Sequence, residues 1–194
     1  AETLGKIEMQ LAESPVKLVS VECFGNIEDS KPIALSFLIG LFHDMTDNRI
    51  NFVNAGIIAE ERGISFSHSL NTEPVSFANL IVAHIETEEG TIEVAGSVFG
   101  DQHPRIVDIM GYEVDVRPEG NMLFVQNKDV PGVIGKVGML LGEGDVNIAE
   151  YLLSRTPNND SAYSVIKFDG EINDKLLETL KQVDEILSVK QLHV

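Results

Sequence analysis

The chain has 194 residues, 43% of them hydrophobic, with 31 acidic against 14 basic side chains and a formal net charge of −17. That length holds one large domain or two small ones, and the apolar share is that of a folded protein rather than a disordered tail. So acidic a chain repels phosphate backbones, which argues against nucleic acid, and no apolar run nears the roughly 18 residues that span a bilayer. The acid is spread along the sequence as on a soluble surface, so a cytoplasmic protein with no membrane partner is expected.

The sequence opens at Ala1, without a Met, directly in an amphipathic stretch (Leu4, Ile7, Leu11) that reads as a helix over 1–13 ended by Ser14-Pro15. Such an opening is expected of a piece cut from something longer. Alternation of Val16, Leu18, Val19, Val21 and Cys23 marks a strand. Cys23 is the only cysteine, so there is no internal disulfide and no multi-cysteine zinc site, and it reads as a small core residue. Lys31-Pro32 opens a helix running to Phe42; its apolar run is too short and too internal for a signal peptide and reads as a buried helix face. A further helix over Asn51 to Arg62, with Phe52, Val53, Ile57 and Ile58 at helical spacing, is stopped by Gly63.

Four strand candidates follow: 64–70, 77–87, 91–99 and 105–117, the last interrupted near Gly111, with Glu88-Glu89-Gly90 as a hairpin turn. Helices followed by antiparallel strands define an α+β arrangement. Pro118-Glu119-Gly120-Asn121 breaks the pattern and sets domains of 1–118 and 119–194. Beyond it come a strand (Met122 to Gln126), a helix (Pro131 to Gly142, with Pro in its first turn), a strand (Asn147 to Ser154) and a loop at 156–160. A strand (Ala162 to Phe168), a helix (Asn173 to Val183) and a strand (Ile186 to Val194) complete the order β-α-β-β-α-β, the ferredoxin-like motif. That fold does not itself name a function. RNA is disfavoured by charge and by the lack of paired surface aromatics on the central strands, and metal transport by the lack of a Cys pair in the first loop.

The chemistry concentrates in Asn127-Lys128-Asp129-Val130-Pro131-Gly132-Val133-Ile134-Gly135, between the first strand and helix of the second half. A helix start offers unpaired N–H groups to a carboxylate, Asp129 offers a negative charge to an ammonium group, and Gly132 and Gly135 allow close approach. Together these suit a free α-amino acid, and nothing in the segment supplies a nucleophile or a proton shuttle. The alternative reading makes Asp129 a turn or cap residue ahead of Pro131 and the glycines packing positions.

This segment, continued by Gly144-Asp145-Val146-Asn147-Ile148-Ala149, resembles the signature of ACT amino-acid-binding domains. Asn51 to Ala55, Glu60 to Ile64, Val94 to Gly100 and Gly111 to Asp115 resemble the intervening, allosteric-substrate-binding domain of long-form D-3-phosphoglycerate dehydrogenases. The resemblance implies a regulatory region whose ACT domains pair side by side and bind L-serine at the pair interface for feedback control of serine biosynthesis. Asn127 and Asp129 of one subunit would hold the effector, Val133 and Ile134 would lend backbone N–H groups, and Asn147 would reach over from the partner. It further implies an anion site at Arg105, Arg117 and Lys167, against which stands pairing of these cations with carboxylates such as Asp108 and Asp115.

The family's catalytic parts are missing. No Gly-x-Gly-x-x-Gly follows a strand, and His43, His68, His84, His103 and His193 lack the setting of a dehydrogenase triad. The segment is therefore not expected to be an enzyme by itself or to hold a cofactor or metal; NAD belongs to the parent dehydrogenase. The second-ranked alternative is the regulatory portion of an iron–sulfur L-serine dehydratase, and the third a free-standing ACT sensor.

Overall fold

A computed structural model describes residues 1–45, 49–73, 75–100, 102–156 and 160–194. The chain divides into two compact units, one of Ala1–Gly111 with Asp115–Pro118 and one of Tyr112–Val114 with Glu119–Val194. Architecture is α+β in both.

In the first unit, α1 (Glu2–Leu11) precedes β1 (Leu18–Gly25), α2 (Ser30–Leu41) and α3 (Ala55–Glu61). Strands β2 (Ser65–Asn71), β3 (Asn79–Glu86), β4 (Thr91–Phe99) and β5 (His103–Ile109) follow; β6 (Tyr112–Val116), whose residues Tyr112–Val114 fall in the second unit, ends the sheet order β2-β1-β3-β4-β5-β6. The expected antiparallel strands are joined by one parallel pair, β1 with β2. A parallel neighbour needs a long crossover, and α2 and α3 supply it. Asp29 caps α2 by accepting the Lys31 amide (2.9 Å), which leaves Pro32 in the first turn where its missing N–H costs nothing. The apolar run buries Ala34, Phe37, Leu38, Leu41 and Phe42, and Cys23 is buried in β1, as the pattern predicts.

Helix α3 is shorter than its spacing predicts. The Asn51 carboxamide oxygen accepts the Val53 and Asn54 amides while the Asn54 oxygen accepts the Asn51 amide, so these side chains hold a turn that competes with helix. Phe52, Val53 and Ile57 accordingly lie exposed rather than in a core. Gly63 follows the helix in the left-handed conformation (φ 70°), as its position suggested. The break near Gly111 is a two-residue hairpin: Met110 (φ 51°) and Gly111 (φ 82°) join β5 to β6, and Asp108 accepts the Gly111 amide.

Helix α1 packs on α2 almost backbone to backbone. A Cβ at Gly5 would overlap the Phe37 carbonyl, and one at Gly40 the Glu2 carbonyl. The same helix buries Glu8. Burial holds its carboxyl well above the usual range; Glu93 adds to the rise, and the Val94 amide offsets part of it.

The second unit has β7 (Asn121–Lys128), α4 (Val133–Glu143), β8 (Asn147–Arg155), β9 (Ser161–Asp169), α5 (Asp174–Lys181) and β10 (Ile186–His193). Its antiparallel sheet runs β10-β7-β9-β8, the ferredoxin-like βαββαβ fold expected of an ACT domain. Leu123, Val125, Ile166 and Phe168 of the sheet pack against Val137 and Leu141 of α4 and Leu176 and Leu180 of α5. Asn173 caps α5 through the Leu176 amide (2.9 Å). Tyr112 belongs to this unit: its ring lies 5.3 Å from that of Tyr163 and its hydroxyl shares a hydrogen bond with Ser161. Among the described residues no helix is long and apolar enough to cross a membrane. Of the loop expected at 156–160, residues 157–159 lie outside the described ones.

Candidate functional site

The Asn127–Gly135 segment leaves the end of β7. Its path is set by backbone bonds: the Lys128 amide donates to Glu185 O (2.8 Å) and the Asp129 amide to Asp160 O (2.8 Å). The chain then turns through Pro131 and Gly132. Pro131 was expected within the first helical turn, but α4 begins only at Val133, because Gly132 is left-handed (φ 97°) and interrupts helical geometry ahead of it. An added Cβ at Gly132 or Gly135 would meet nothing within 4 Å, so Gly132 is needed for its backbone conformation rather than for close packing.

Gly132, at the N-cap of α4, makes no side-chain cap bond, and the first helical bond is Lys136 N–H to Gly132 O (3.0 Å). The amides of Val133, Ile134 and Gly135 thus precede the intrahelical ladder and carry the positive end of the helix dipole. Val133 turns its side chain into the core while Ile134 is 48% exposed. Lys136 pairs with Glu185 (2.5 Å), and that hydrogen bond lowers the Glu185 carboxyl below its ordinary value.

Asn127 is buried in β7, its side-chain NH2 donating to Lys128 O (2.7 Å). In register it faces Ala162 of β9, which in turn faces Arg155 of β8. One row across the sheet therefore carries Asn127, Ala162 and Arg155, the outer two about 10 Å apart at two strand spacings. Asp129 reaches that row: its Oδ1 lies 3.1 Å from an Arg155 guanidinium nitrogen, with the carboxylate side chain 29% and the arginine 63% exposed. The carboxylate expected to await an ammonium group already holds a cation. Arg155 was missed in the sequence; its only signal is a basic residue ending an apolar strand, and pairing register is needed to see that it meets Asp129.

Asn147 starts β8, eight residues from Arg155 on the same strand, and donates to Asp169 (2.8 Å). At the strand rise of about 3.3 Å per residue it stands some 26 Å from Arg155, so one chain does not bring Asn147 to Asp129. A hollow of about 310 Å³ in this unit is lined by Leu140, Gly144, Asn173, Leu176 and Thr179, not by the Asp129 loop.

Two cations of the expected anion site, Arg105 and Lys167, have local carboxylate partners. Arg105 of β5 lies 3.5 Å from Asp115 in the first unit, and Lys167 of β9 lies 3.5 Å from Glu119 in the second. Arg117 belongs to the first unit. Among the described residues no group of His, Cys, Asp or Glu is placed to hold a metal ion.

Two α+β units, the second with βαββαβ order, define the class. The sequence model of the D-3-phosphoglycerate dehydrogenase intervening domain matches residues 1–110, and the chain belongs to that family. It is 33% identical over 189 residues to a D-3-phosphoglycerate dehydrogenase of Bacillus subtilis, 96% of this chain but 36% of that one. With enzymes of the same description from Synechocystis and Methanocaldococcus jannaschii it shares 30%, again over 34% and 36% of their lengths. The chain thus spans about a third of the relatives it matches. A solved ACT domain from the GTP pyrophosphokinase of Chlorobium tepidum is 16% identical, covering 38% of this chain and 97% of its own, at a TM-score of 0.32.

Proposed function

We propose that this chain is the allosteric region of an NAD-dependent D-3-phosphoglycerate dehydrogenase, and that its second unit senses L-serine as the feedback signal of serine biosynthesis. The observation that carries the reading is the placement of the Asp129 carboxylate just ahead of the open amides of α4, acid and helix tip joined by a three-residue turn. A zwitterion is matched at both ends by this pair, its carboxylate by the amides of Val133 and Ile134 and its ammonium by Asp129.

Self-association completes the site in this proposal. Strand β8 is the sheet edge, and a second copy pairing with it antiparallel about a two-fold axis sets the partner's Asn147 end beside this chain's Arg155 end. That arrangement accounts for the distance between Asn147 and Asp129 in one chain. Ligand binding at such an interface shifts a conformational balance only if one state binds serine better. The second ligand site, for a phosphate or carboxylate at Arg105, Arg117 and Lys167, stands on the resemblance alone.

Isothermal titration of the chain with L-serine tests the reading. Binding is expected, and Asp129→Asn should weaken it at least about tenfold, the worth of a charge-assisted hydrogen bond at a part-exposed position. Unchanged affinity in that variant would remove Asp129 from the site, and the sensor reading with it.

A further inference from the structure

The function proposed above treats Asp129 as the anchor for an ammonium group, and the inference here rests on that reading. In the structure Asp129 Oδ1 is held by Arg155 at 3.1 Å. A guanidinium and an ammonium group compete for the same oxygen, so a ligand must move one to seat the other. We infer that Arg155 is a displaceable internal counter-ion of Asp129, which lowers the site's apparent affinity for amino acids and sets the concentration at which it responds.

The geometry suits displacement rather than permanent closure. Arg155 ends edge strand β8 and is 63% exposed, so its long side chain can swing into water, whereas Asp129 is 29% exposed and tethered by its own amide to Asp160 O. Exposed ion pairs of this kind are weak, and an arginine loses rotamer freedom to hold one. The ligand-competent fraction of the site, with Asp129 released, is therefore reduced modestly, and apparent affinity falls in proportion to that fraction. An effect of two- to about fivefold follows from the worth of a surface pair. With Arg155 on it, the Asp129 carboxylate offers little to a second cation, while an amino acid carries its own carboxylate to the helix tip as it displaces the arginine. Next along the same face of β8, the uncharged Leu153 opposes Ser164.

The test is L-serine titration of the chain by calorimetry, with Arg155→Gln and Arg155→Lys measured beside it and thermal unfolding and elution volume as checks on fold and association. Arg155→Gln is expected to bind two- to fivefold tighter, and Arg155→Lys to stay near the parent chain because the ammonium tip still reaches Asp129. Equal or weaker binding by Arg155→Gln with an intact fold overturns the counter-ion role, weaker binding pointing instead to a direct contact with the ligand carboxylate. Should Arg155→Gln fail to fold, Arg155→Ala decides: two- to fivefold tighter binding supports the inference, and equal or weaker binding overturns it. Absence of serine binding in the parent chain itself fails the sensor reading, an outcome distinct from any change between parent and variants.

Discussion

Replacing Gly5 with Ala in α1 places one methyl group against the backbone of α2. The new Cβ would stand 2.7 Å from the Leu41 nitrogen and closer still to the Phe37 carbonyl, against an ordinary contact of 3.4 Å or more. Neither obstacle can rotate away; the Leu41 nitrogen alone asks for a separation of roughly 0.7 Å and the Phe37 carbonyl for more, and a gap of even that size forfeits a quarter to a half of each dispersion contact along the seam. That seam includes Leu4, Ile7, Phe37, Leu38 and Leu41, all buried. Overpacking of a tight core costs about 1–3 kcal/mol, and the backbone obstacles place this case at the upper end. The helix preference for Ala over Gly returns about 0.8–1 kcal/mol, which leaves a net loss of about 1–2 kcal/mol. For a unit of this size the unfolding midpoint should fall by about 4–12 °C. Gly142→Ala on α4, where a Cβ meets nothing within 4 Å, makes the same chemical change in open space and should leave stability level or raise it by up to about 1 kcal/mol. Thermal and urea unfolding followed by circular dichroism compare the two. Equal or greater stability of Gly5→Ala would refute the close approach of α1 and α2.

Two further substitutions probe stability. Glu8 has a folded-state carboxyl raised by burial above its unfolded value, so the folded state holds the extra proton and stability falls as pH rises from the unfolded value toward the folded one. The slope approaches about 1.4 kcal/mol per pH unit in that window; Glu8→Gln should flatten it in urea titrations between pH 4.5 and 8, and parallel curves for parent and variant would contradict a buried neutral acid. Leu141, fully buried between α4 and the sheet, should cost about 2–5 kcal/mol when cut to Ala, and a loss under about 1 kcal/mol in denaturant unfolding would mean the α4 face is not packed as described.

The second unit was legible because its local signals agree. Gly132 and Gly144 bound a helix, Asn173 caps the next, and alternating apolar residues mark four strands, so periodicity alone yields the βαββαβ order. The first unit was less so where side chains compete with the backbone: at Asn51 and Asn54, paired carboxamides hold a turn that apolar spacing reads as helix. The parallel neighbour of β1 was likewise hidden, since strand pairing depends on where a crossover lands and not on the strand's own residues.

For the candidate site the division runs the same way. The amino-acid string by itself marked the loop: an acid, a proline and a glycine in that order signal a turn beside a helix start, although the spacing puts Pro131 in the helix and the helix begins at Val133. Only the tertiary structure decided what faces that carboxylate. Residues 129 and 155 meet because β9 lies between β7 and β8 and pairs with both, and Asn147 ends at the far end of the same strand for the same reason. Local sequence encodes a chain's own bends through torsional and hydrogen-bond preferences, while register between distant strands is set by burial of the whole apolar face.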